Sequence, residues 1–195
     1  MKIEIRQANT ETLRQYGTIP IVFEVRSILE PHLIEGGVGG IKLQEVELLE
    51  PYIKDYDSLQ GGNPETWSTQ FNLNNWAVFL IEGQAGYLAG AAVAFDTPGL
   101  MMLEGHRNQA VLWDIRVHPD VRGRGSGTRL FCEAIEWARS HGCANLMAET
   151  QNTNVPACRF YARQGCEIRA IDRFAYAEEP EVAQEIMLLW QKTLS

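Results

Sequence analysis

Apolar residues in the middle of the chain fall into short runs rather than into a helical period. Three such runs, WAVFLIE, YLAGAAVAFD and VLWDIRVH, begin at Trp76, Tyr87 and Val111. Gly83–Gly86 separates the first two runs, and this spacing is typical of a β-hairpin turn. The pattern therefore predicts three consecutive strands.

A helical period follows these strands twice. From Ser126 onward the apolar residues recur on one helical stripe, made of Leu130, Phe131, Ala134, Ile135 and Ala138. Gly142 stands where the C-cap of this helix belongs. In the stretch NVPACRFYARQG, Asn154 can cap a second helix, Pro156 fits its first turn and Gly165 can end it.

Shorter apolar runs complete the predicted sheet. Lys2–Arg6 predicts a first strand, and Asn9 or Thr10 can cap a helix that follows it. The run ANLMAE lies between the two amphipathic helices and predicts a buried strand. CEIRAI and EIMLLW predict the last two strands.

The front part of the chain has weaker patterns. FEVRSILEPHL, from Phe23, is typical of a helix that breaks near Pro31, and KLQEVELLEPYIKDY predicts helix or turn. GGVGG at Gly36–Gly40 predicts a mobile loop, because ordering a glycine run costs the most entropy. Residues 57–75 are polar and rich in turn formers. We therefore expect residues 1–75 to form mainly helices and loops.

The order of these elements predicts an α/β (α+β) fold, in which helices pack on both faces of a mixed sheet. The chain has 195 residues, which is enough for one buried core. It shows neither an internal repeat nor a linker. We therefore expect residues 1–195 to form a single domain.

The net charge and the distribution of apolar residues limit the classes of partner that the protein can bind. A net charge of -8 argues against binding nucleic acid through a general basic face. It suits a cationic partner, although acidity also serves solubility alone. The first residues, MKIEIRQANTETLRQY, lack the apolar core of a signal peptide, and the chain has no run of about 18 apolar residues. We expect no membrane partner.

The cysteines are spaced neither as a redox pair nor as metal ligands. Cys132, Cys143, Cys158 and Cys166 form no CxxC pair. This spacing favours structural thiols in a reducing compartment, which implies a cytoplasmic location. It does not supply the close ligands of a zinc site, and we expect no metal.

The turn Arg122–Gly127 joins the third predicted strand to the first amphipathic helix and carries the clearest chemistry. Its glycines lack Cβ atoms, so a large anion can approach the amides at the helix start. Arg122 and Arg124 add positive charge. The turn lacks the lysine of a Walker loop and the GxGxxG spacing of a dinucleotide fingerprint. It predicts a phosphate or pyrophosphate site of another kind, the alternative being a loop that binds nothing.

The segment Arg122-Gly123-Arg124-Gly125-Ser126-Gly127 resembles the Q/R-x-x-G-x-G/A signature of the GNAT acyltransferase superfamily, and the resemblance covers about residues 76–190. It implies a mostly antiparallel sheet with splayed strands and an acetyl-coenzyme A-binding core at residues 76–195. Residues 1–75 would lie on the acceptor side. The groups that it implies for cofactor binding are the backbone of Ile115, Arg116 and Val117, then Arg122, Gly123, Arg124, Gly125, Ser126, Gly127, Thr128 and Asn154.

Several longer stretches are similar to streptothricin acetyltransferases, namely LWDIRVHPDVRGRGSGTRLF, AETQNTNVPACRFYARQG, IDRFAY and PYIKDYD. GGVGG and residues 57–75 match no pattern of those enzymes. The resemblance implies N-acetyl transfer from acetyl-coenzyme A to a primary amine of a small cationic substrate, in antibiotic resistance. A streptothricin-type antibiotic bearing a β-lysine amine is the leading acceptor.

Two other functions stay open, a protein or peptide N-acetyltransferase and a non-catalytic coenzyme A-binding regulatory module. A homodimer is an assembly that the fold allows by analogy.

Acetyl transfer to an amine needs an acid, a base and an oxyanion donor. The resemblance implies that the Tyr161 hydroxyl protonates the departing thiolate. The backbone N–H of Val117 can stabilise the oxyanion. Asp114, just before the pantetheine-binding segment, is the first candidate for the base, with Glu149 and Glu104 as alternatives.

Some aromatic and acidic residues are weaker candidates for binding the acceptor. Trp67, Phe71 and Trp76 can wall an acceptor pocket through cation–π contacts or pack in the core, and core packing is the expectation. The acidic cluster formed by Glu178, Glu179 and Glu181 can attract a cationic acceptor, but a polar loop is the simpler interpretation.

Overall fold

The computed structural model describes residues 2–194, which form nine strands and four α-helices. The strands are β1 Ile3–Gln7, β2 Phe23–Leu33, β3 Ile41–Lys54, β4 Trp76–Gly83, β5 Gly86–Phe95, β6 Gln109–Val117, β7 Asn145–Gln151, β8 Glu167–Asp172 and β9 Met187–Thr193. The helices are α1 Thr10–Gly17, α2 Trp67–Gln70, α3 Ser126–Ser140 and α4 Val155–Arg163.

Seven strands hydrogen-bond into one sheet in the order β1-β4-β5-β6-β7-β9-β8, and β2 pairs with β3 in a separate ribbon. The pairs β1–β4, β4–β5 and β5–β6 are antiparallel, whereas β6 and β7 are parallel. Parallel neighbours need a crossover connection, and α3 provides it between β6 and β7. The predicted mixed, mostly antiparallel sheet is confirmed.

The helix ends follow the predicted capping residues. Asn9 Oδ1 accepts a hydrogen bond from Thr12 N, and Asn9 N donates the reciprocal bond to Thr12 Oγ1, so Asn9 caps α1. Asn154 Oδ1 accepts from Ala157 N at 3.2 Å and caps α4. On α3 the predicted stripe faces the core, since its buried members are Leu130, Phe131, Ala134 and Ala138.

The predicted secondary structure is wrong for two stretches between residues 23 and 54. The stretch that begins at Phe23, predicted as a helix, is β2, and the next predicted helix or turn is β3. The two strands pair antiparallel from Phe23↔Lys54 to Leu33↔Ile41. Each strand takes its hydrogen bonds from the other, and a local pattern does not report such a non-local partner. Pro31 is tolerated because β2 lies at the edge of a two-stranded ribbon.

The glycine run between these strands is a hydrogen-bonded turn. Glu35 and Gly36 adopt positive φ values of 49° and 68°. Gly39 N donates to Ile34 O at 3.0 Å, and Gly40 N donates to Gly37 O at 3.1 Å. A loop at this position is therefore confirmed, whereas its mobility stays a prediction, and its glycines serve the left-handed backbone that the turn requires.

The described chain divides into two compact units. Among the described residues, the first unit consists of residues 2–22, Asp55–Ala148 and residues 191–194. The second consists of Phe23–Lys54 and Glu149–Trp190. That residues 1–195 form a single domain stays a prediction.

In the first unit, helices cover both faces of the sheet. Tyr16 of α1 lies against Gly90, where an added Cβ would come within 2.7 Å of its ring. Trp137 of α3 lies against Phe79, with ring centroids 6.5 Å apart. Phe79 pairs with Ala91, the neighbour of Gly90 in β5, and successive strand residues point to opposite faces. Helices α1 and α3 therefore lie on opposite faces of this sheet.

In the second unit, Asn152 joins β2 to the segment that precedes β9. Its backbone N–H donates to Ile186 O, and its Oδ1 accepts from Ile186 N, both at 2.9 Å. Its backbone oxygen accepts from Leu29 N at 2.9 Å, and its Nδ2 donates to Leu29 O at 3.1 Å. One buried residue thus satisfies both backbone groups of two others.

An ion pair is buried in the same unit. Lys54 Nζ bonds Glu185 Oε2, and the side chains are 6% and 3% exposed. Burial lowers the pKa of Lys54, and the charge of Glu185 opposes this effect. The pair fastens the end of β3 to the segment before β9.

Candidate active site

Strands β6 and β7 separate halfway along β6. Their parallel pairing ends at Leu112 and Ala148, whereas β6 continues to Val117. Toward β5 the register shifts and leaves Trp113 as the extra residue of a β-bulge, which re-aims the strand. The splayed strand implied by the resemblance is confirmed, and the backbone of Ile115–Val117 lies beyond the paired part.

A glycine turn leads from β6 into α3. Gly123 and Gly125 have φ values of 75° and 85°, in the left-handed region. An added Cβ would meet no atom within 4 Å at either position. Gly125 is the N-cap residue of α3, and it brings no side chain to cap the helix. The start of α3 is therefore exposed to a ligand along its backbone, with the positive end of the helix dipole behind it.

The first residue of this helix also fits an anion. Ser126 Oγ is buried and has no hydrogen-bond partner among residues 2–194. A serine hydroxyl at a helix N-terminus can donate to a phosphate oxygen. Arg124, in the same turn, is exposed. The residues present thus fit the diphosphate of a coenzyme A thioester.

Arg122 has a different environment from Arg124. Its Nε donates to Val117 O at 2.9 Å, and its Nη2 donates to Val22 O at 2.7 Å. Partial burial lowers the pKa of its guanidinium. Arg122 therefore fastens the glycine turn to the end of β6, and its direct contact with a cofactor stays a prediction.

The side chain of Arg116 is fully buried in an ionic cluster. Its Nη1 and Nη2 donate to the two oxygens of Asp57 at 2.8 and 2.7 Å. Its Nε and Nη2 donate to Asp114 Oδ2 at 2.8 and 2.7 Å. The ring of Tyr16 lies 5.0 Å from the guanidinium carbon. The cluster ties β6 to α1 and to the turn Tyr56–Ser58.

Asp114, the first candidate for the base, belongs to this cluster. Burial raises the pKa of its carboxyl, and the charge of Arg116 opposes the rise. Its Oδ2 is bound by Arg116, while Oδ1 is buried and makes no hydrogen bond within the described chain. This carboxylate is therefore held inside the unit by an ion pair, and its role as the base stays a prediction.

The front aromatic residues pack against one another. Phe71 and Trp76 lie with ring centroids 5.5 Å from each other, and both rings contact Trp113 at 5.3 and 5.8 Å. Trp67 and Trp76 are 2% and 1% exposed. The expected core packing is confirmed for these two tryptophans.

Asn154 and Tyr161 belong to the second unit, on α4. The Asn154 side chain is used as the N-cap. Tyr161 is 4% exposed, and its ring centroid lies 6.2 Å from that of Trp190 and 5.2 Å from that of Phe160. The cofactor contact of Asn154 and the acid role of Tyr161 stay predictions.

Glu149, also in the second unit, accepts hydrogen bonds from two side chains. Tyr176 Oη donates to Glu149 Oε1 at 2.6 Å. Gln151 Nε2 donates to the same oxygen at 3.3 Å and to Tyr176 Oη at 2.7 Å. Burial raises the pKa of Glu149, the hydrogen bond from Tyr176 opposes this, and the charge of Glu179 adds to it. Glu104, in contrast, lies exposed in a loop.

Tyr176, Gln151 and Asp57 were not among the predicted site residues. Tyr176 lies 27 positions from Glu149, and Asp57 lies 59 positions from Arg116. No helical or strand period connects residues so far apart, so only the fold reveals these pairs. Tyr176 and Asp57 lie in the stretches IDRFAY and PYIKDYD. The similarity of these stretches to streptothricin acetyltransferases was the one feature of the sequence that could have indicated the two residues.

Within residues 2–194, no three His, Cys, Asp or Glu side chains are grouped to hold a metal ion. The helices that these residues form are each too short or too polar to cross a membrane. The four cysteines are free thiols, of which Cys132 is exposed and the other three are buried.

The sequence is similar to known acetyltransferases. Residues 46–166 match the Acetyltransferase (GNAT) family. Streptothricin acetyltransferase of Escherichia coli is 30% identical over 86% of this chain and 83% of its own length. The Streptomyces lavendulae enzyme of the same name is 30% identical over 70% of this chain and 68% of its own length. Streptothricin acetyltransferase A of Bacillus subtilis (strain 168) is 43% identical over 42% of this chain, and the match spans 46% of that relative.

Solved structures share the fold. Nourseothricin acetyltransferase has a TM-score of 0.74 at 20% identity, with both chains covered in full. A Bacillus anthracis protein assigned as a streptothricin acetyltransferase, solved in complex with acetyl coenzyme A, also has a TM-score of 0.74, at 24% identity over 100% of this chain and 99% of its own. These identities support likeness of fold alone.

Three findings agree on one chemistry: the strand that splays at Trp113, the uncapped glycine turn at the start of α3, and the family match over residues 46–166. The chain therefore belongs to the GNAT acetyltransferase family, and it is an acetyl-coenzyme A-dependent N-acetyltransferase.

Proposed function

We propose that the protein acetylates a primary amine of a small cationic antibiotic of the streptothricin type. The observation that carries this proposal is the 30% identity to the Escherichia coli streptothricin acetyltransferase over 86% of the chain. The net charge of -8 supports it, since an acidic protein attracts a polycationic acceptor.

We infer that the donor is held by the first unit. Acetyl-coenzyme A, when bound, supplies an acetyl thioester. Its diphosphate would meet the start of α3, with the Ser126 hydroxyl and Arg124 as side-chain contacts. The backbone of Ile115–Val117, beyond the part of β6 that pairs with β7, would hydrogen-bond the pantetheine arm. The N–H of Val117 would stabilise the oxyanion.

We infer that Glu149 is the base and Tyr161 the acid. Glu149 follows Ala148, the residue at which β7 ceases to pair with β6. A partly buried carboxylate with a raised pKa is suited to accept the proton of the substrate ammonium. The freed amine then attacks the acetyl carbon and forms the C–N bond, the C–S bond breaks, and the Tyr161 hydroxyl gives its proton to the thiolate. The extra proton on the new amide nitrogen passes to the Tyr161 oxygen and restores the hydroxyl. Asp114 is the alternative base.

An acceptor screen tests the proposed substrate. The protein is incubated with saturating acetyl-coenzyme A and a panel of streptothricin, free β-lysine, linear polyamines and basic peptides, and thiol release is followed. We expect kcat/KM for streptothricin to exceed that for any peptide by at least about tenfold, a difference of about 1.4 kcal/mol in transition-state binding. Preference for peptides would favour a protein acetyltransferase. Release with no member of the panel would reject the proposed acceptor.

The choice of base is tested by a pair of isosteric variants, Glu149→Gln and Asp114→Asn. We expect Glu149→Gln to lower kcat by about 100-fold and to abolish the acidic limb of the pH profile of kcat/KM. Asp114→Asn should keep that limb, because its effect is on the ion pair with Arg116. The reverse pattern would assign the base to Asp114.

A further inference from the structure

We propose that Tyr176 is a positioning residue for acetyl transfer, which holds the Glu149 carboxylate in one orientation and donates a hydrogen bond to its ionised form. The inference rests on the proposed role of Glu149 as the base. The observation behind it is the contact of three side chains, Glu149, Gln151 and Tyr176, here called the Glu149 triad.

The direction of each hydrogen bond in the Glu149 triad follows from its chemistry. The amide nitrogen of Gln151 is a donor only, so Tyr176 Oη accepts the bond of 2.7 Å from it. The hydroxyl proton of Tyr176 then points to Glu149 Oε1, 2.6 Å away. A distance this short is typical of a hydroxyl that donates to a charged carboxylate.

The two bonds to Glu149 end on the same oxygen. Tyr176 and Gln151 both donate to Oε1, at 2.6 and 3.3 Å. Neither of these bonds uses Oε2. We therefore assign Oε2 as the oxygen that takes the proton from the acceptor ammonium, while Oε1 anchors the carboxylate.

The surroundings of the Glu149 triad oppose ionisation, and Tyr176 favours it. Burial is the largest influence and raises the pKa of Glu149, and the negative charge of Glu179 raises it too. The hydrogen bonds from Tyr176 and Gln151 lower it. Without the Tyr176 hydroxyl, the carboxylate would be protonated, and unable to act as a base, up to a higher pH.

The chain around Tyr176 keeps the side chain in place. Ala177 N donates to Phe174 O at 3.1 Å, and Glu179 N donates to Tyr176 O at 2.9 Å. These bonds close tight turns on both sides of Tyr176. The segment is therefore ordered by its own backbone, and a change from tyrosine to phenylalanine removes one hydroxyl without removing the ring.

The test compares Tyr176→Phe with a matched control, Tyr87→Phe. Tyr87 donates to Gln15 Oε1 at 3.3 Å and lies outside the proposed machinery. We expect the acidic limb of kcat/KM for Tyr176→Phe to move to higher pH. At pH values below the limb, its kcat/KM should fall by about tenfold, the effect of one typical hydrogen bond to a charged group. The KM for acetyl-coenzyme A should not change, and Tyr87→Phe should match the wild type.

A second variant restores the hydroxyl and strengthens it as a donor. Fluorotyrosine at position 176 has a more acidic phenol, so it should move the acidic limb back to the wild-type pH or below it. A purely structural role predicts no such dependence on phenol acidity. A limb that stays at the wild-type pH in both variants would overturn the proposal.

A measurement without turnover separates this inference from the proposed base. The Glu149 carboxyl is titrated by carbon NMR in the wild type and in Tyr176→Phe, with Glu149→Gln used to assign its signal. We expect Glu149 to titrate at higher pH in Tyr176→Phe. An unchanged titration would reject the role of Tyr176. A changed titration with an unchanged rate profile would keep the contact but reject Glu149 as the base.

Discussion

At the scale of single residues, a missing side chain is as informative as any side chain present. Gly125 combines a φ of 85° with open space at its Cβ position, at the N-cap of α3. Glycine serves both needs, because it adopts the left-handed region without strain and leaves the helix amides accessible. The buried Ser126 hydroxyl, which lacks a partner in the described chain, points to the same ligand.

We predict that Gly125→Ala weakens acetyl-coenzyme A binding by about tenfold or more, because its Cβ would lie against the diphosphate. The left-handed backbone should also cost about 1 kcal/mol of stability. Gly142→Ala is the matched control, since Gly142 has a φ of 75° with open space at the opposite end of the same helix. The control should lose similar stability and no affinity by calorimetry. Equal affinities in the two variants would contradict the assigned site.

We predict that the native protein reacts rapidly with a thiol reagent at one cysteine. Cys132 is exposed, and burial raises the pKa of the Cys143 thiol and raises that of Cys158 to about 11. A thiol with a high pKa has little reactive thiolate near neutral pH. A disulfide reagent should therefore show one fast phase, which Cys132→Ser removes. Several fast phases in the Cys132→Ser variant would mean that the buried cysteines are accessible.

At the scale of elements, the arginines of the glycine turn have separate tasks. Arg122 fastens the turn to carbonyl oxygens of Val117 and Val22, whereas Arg124 is exposed beside the start of α3. The Arg122 guanidinium, held by two backbone carbonyls, stabilises the shape of the turn. The Arg124 guanidinium acts through its charge and is screened by salt.

We predict that Arg122→Ala and Arg124→Ala differ in the salt dependence of acetyl-coenzyme A affinity. Arg124→Ala should bind acetyl-coenzyme A about threefold to tenfold more weakly than the wild type at low salt. This difference in affinity should shrink as salt screens the charge. Arg122→Ala should lose affinity at all salt concentrations, since the turn itself changes shape. Binding is measured by calorimetry over a salt series. Parallel salt slopes for both variants would show that the arginines share one role.

Asn152 illustrates how one side chain connects elements within the second unit. We predict that Asn152→Ala lowers the free energy of unfolding by about 3 kcal/mol, because it leaves backbone groups of Leu29 and Ile186 unpaired. Asn152→Asp keeps the acceptor for Ile186 N but places a buried carboxylate oxygen against Leu29 O, so it should lower the free energy of unfolding at neutral pH by at least as much. Asn108→Ala, at an exposed position, is the control. Denaturant unfolding that gives equal stabilities for all three would refute the structural role.

At the scale of the whole molecule, the net charge acts in opposite directions on the binding of the two substrates. The net charge of -8 attracts a cationic acceptor and repels an anionic cofactor. The glycine turn overcomes this repulsion locally, with helix amides and Arg124. We predict that added salt lowers kcat/KM for a polycationic acceptor severalfold and leaves that for acetyl-coenzyme A unchanged or higher. Steady-state kinetics over a salt series checks the direction in which kcat/KM changes for each of the two substrates. A monoamine acceptor, which carries less charge, should show a weaker decline.

The sequence by itself determined the second half of the fold and the donor chemistry. Periodicity in β4, β5, β6, α3 and α4 is local, since each element shows its buried face in its own residues. The turn Arg122–Gly127 is equally local, because amides, glycines and arginines lie within six consecutive positions. Helix caps such as Asn154 are also visible, since the cap and the amide that it bonds are three residues apart.

The tertiary structure alone decided the ribbon of β2 and β3 and the environment of the carboxylates. A strand in a ribbon depends on a partner that the local pattern does not contain, so the stretch from Phe23 was wrongly predicted as a helix and the stretch from Lys42 as helix or turn. Asp114 and Glu149 are both acidic residues in apolar strands, and each has one polar partner two positions along its own strand, Arg116 for Asp114 and Gln151 for Glu149. Only the fold brings in the distant partners, which are Asp57 on Arg116 and Tyr176 on Glu149. The proton affinity of a carboxylate follows from burial and from nearby charges, and these arise only when distant parts of the chain fold together.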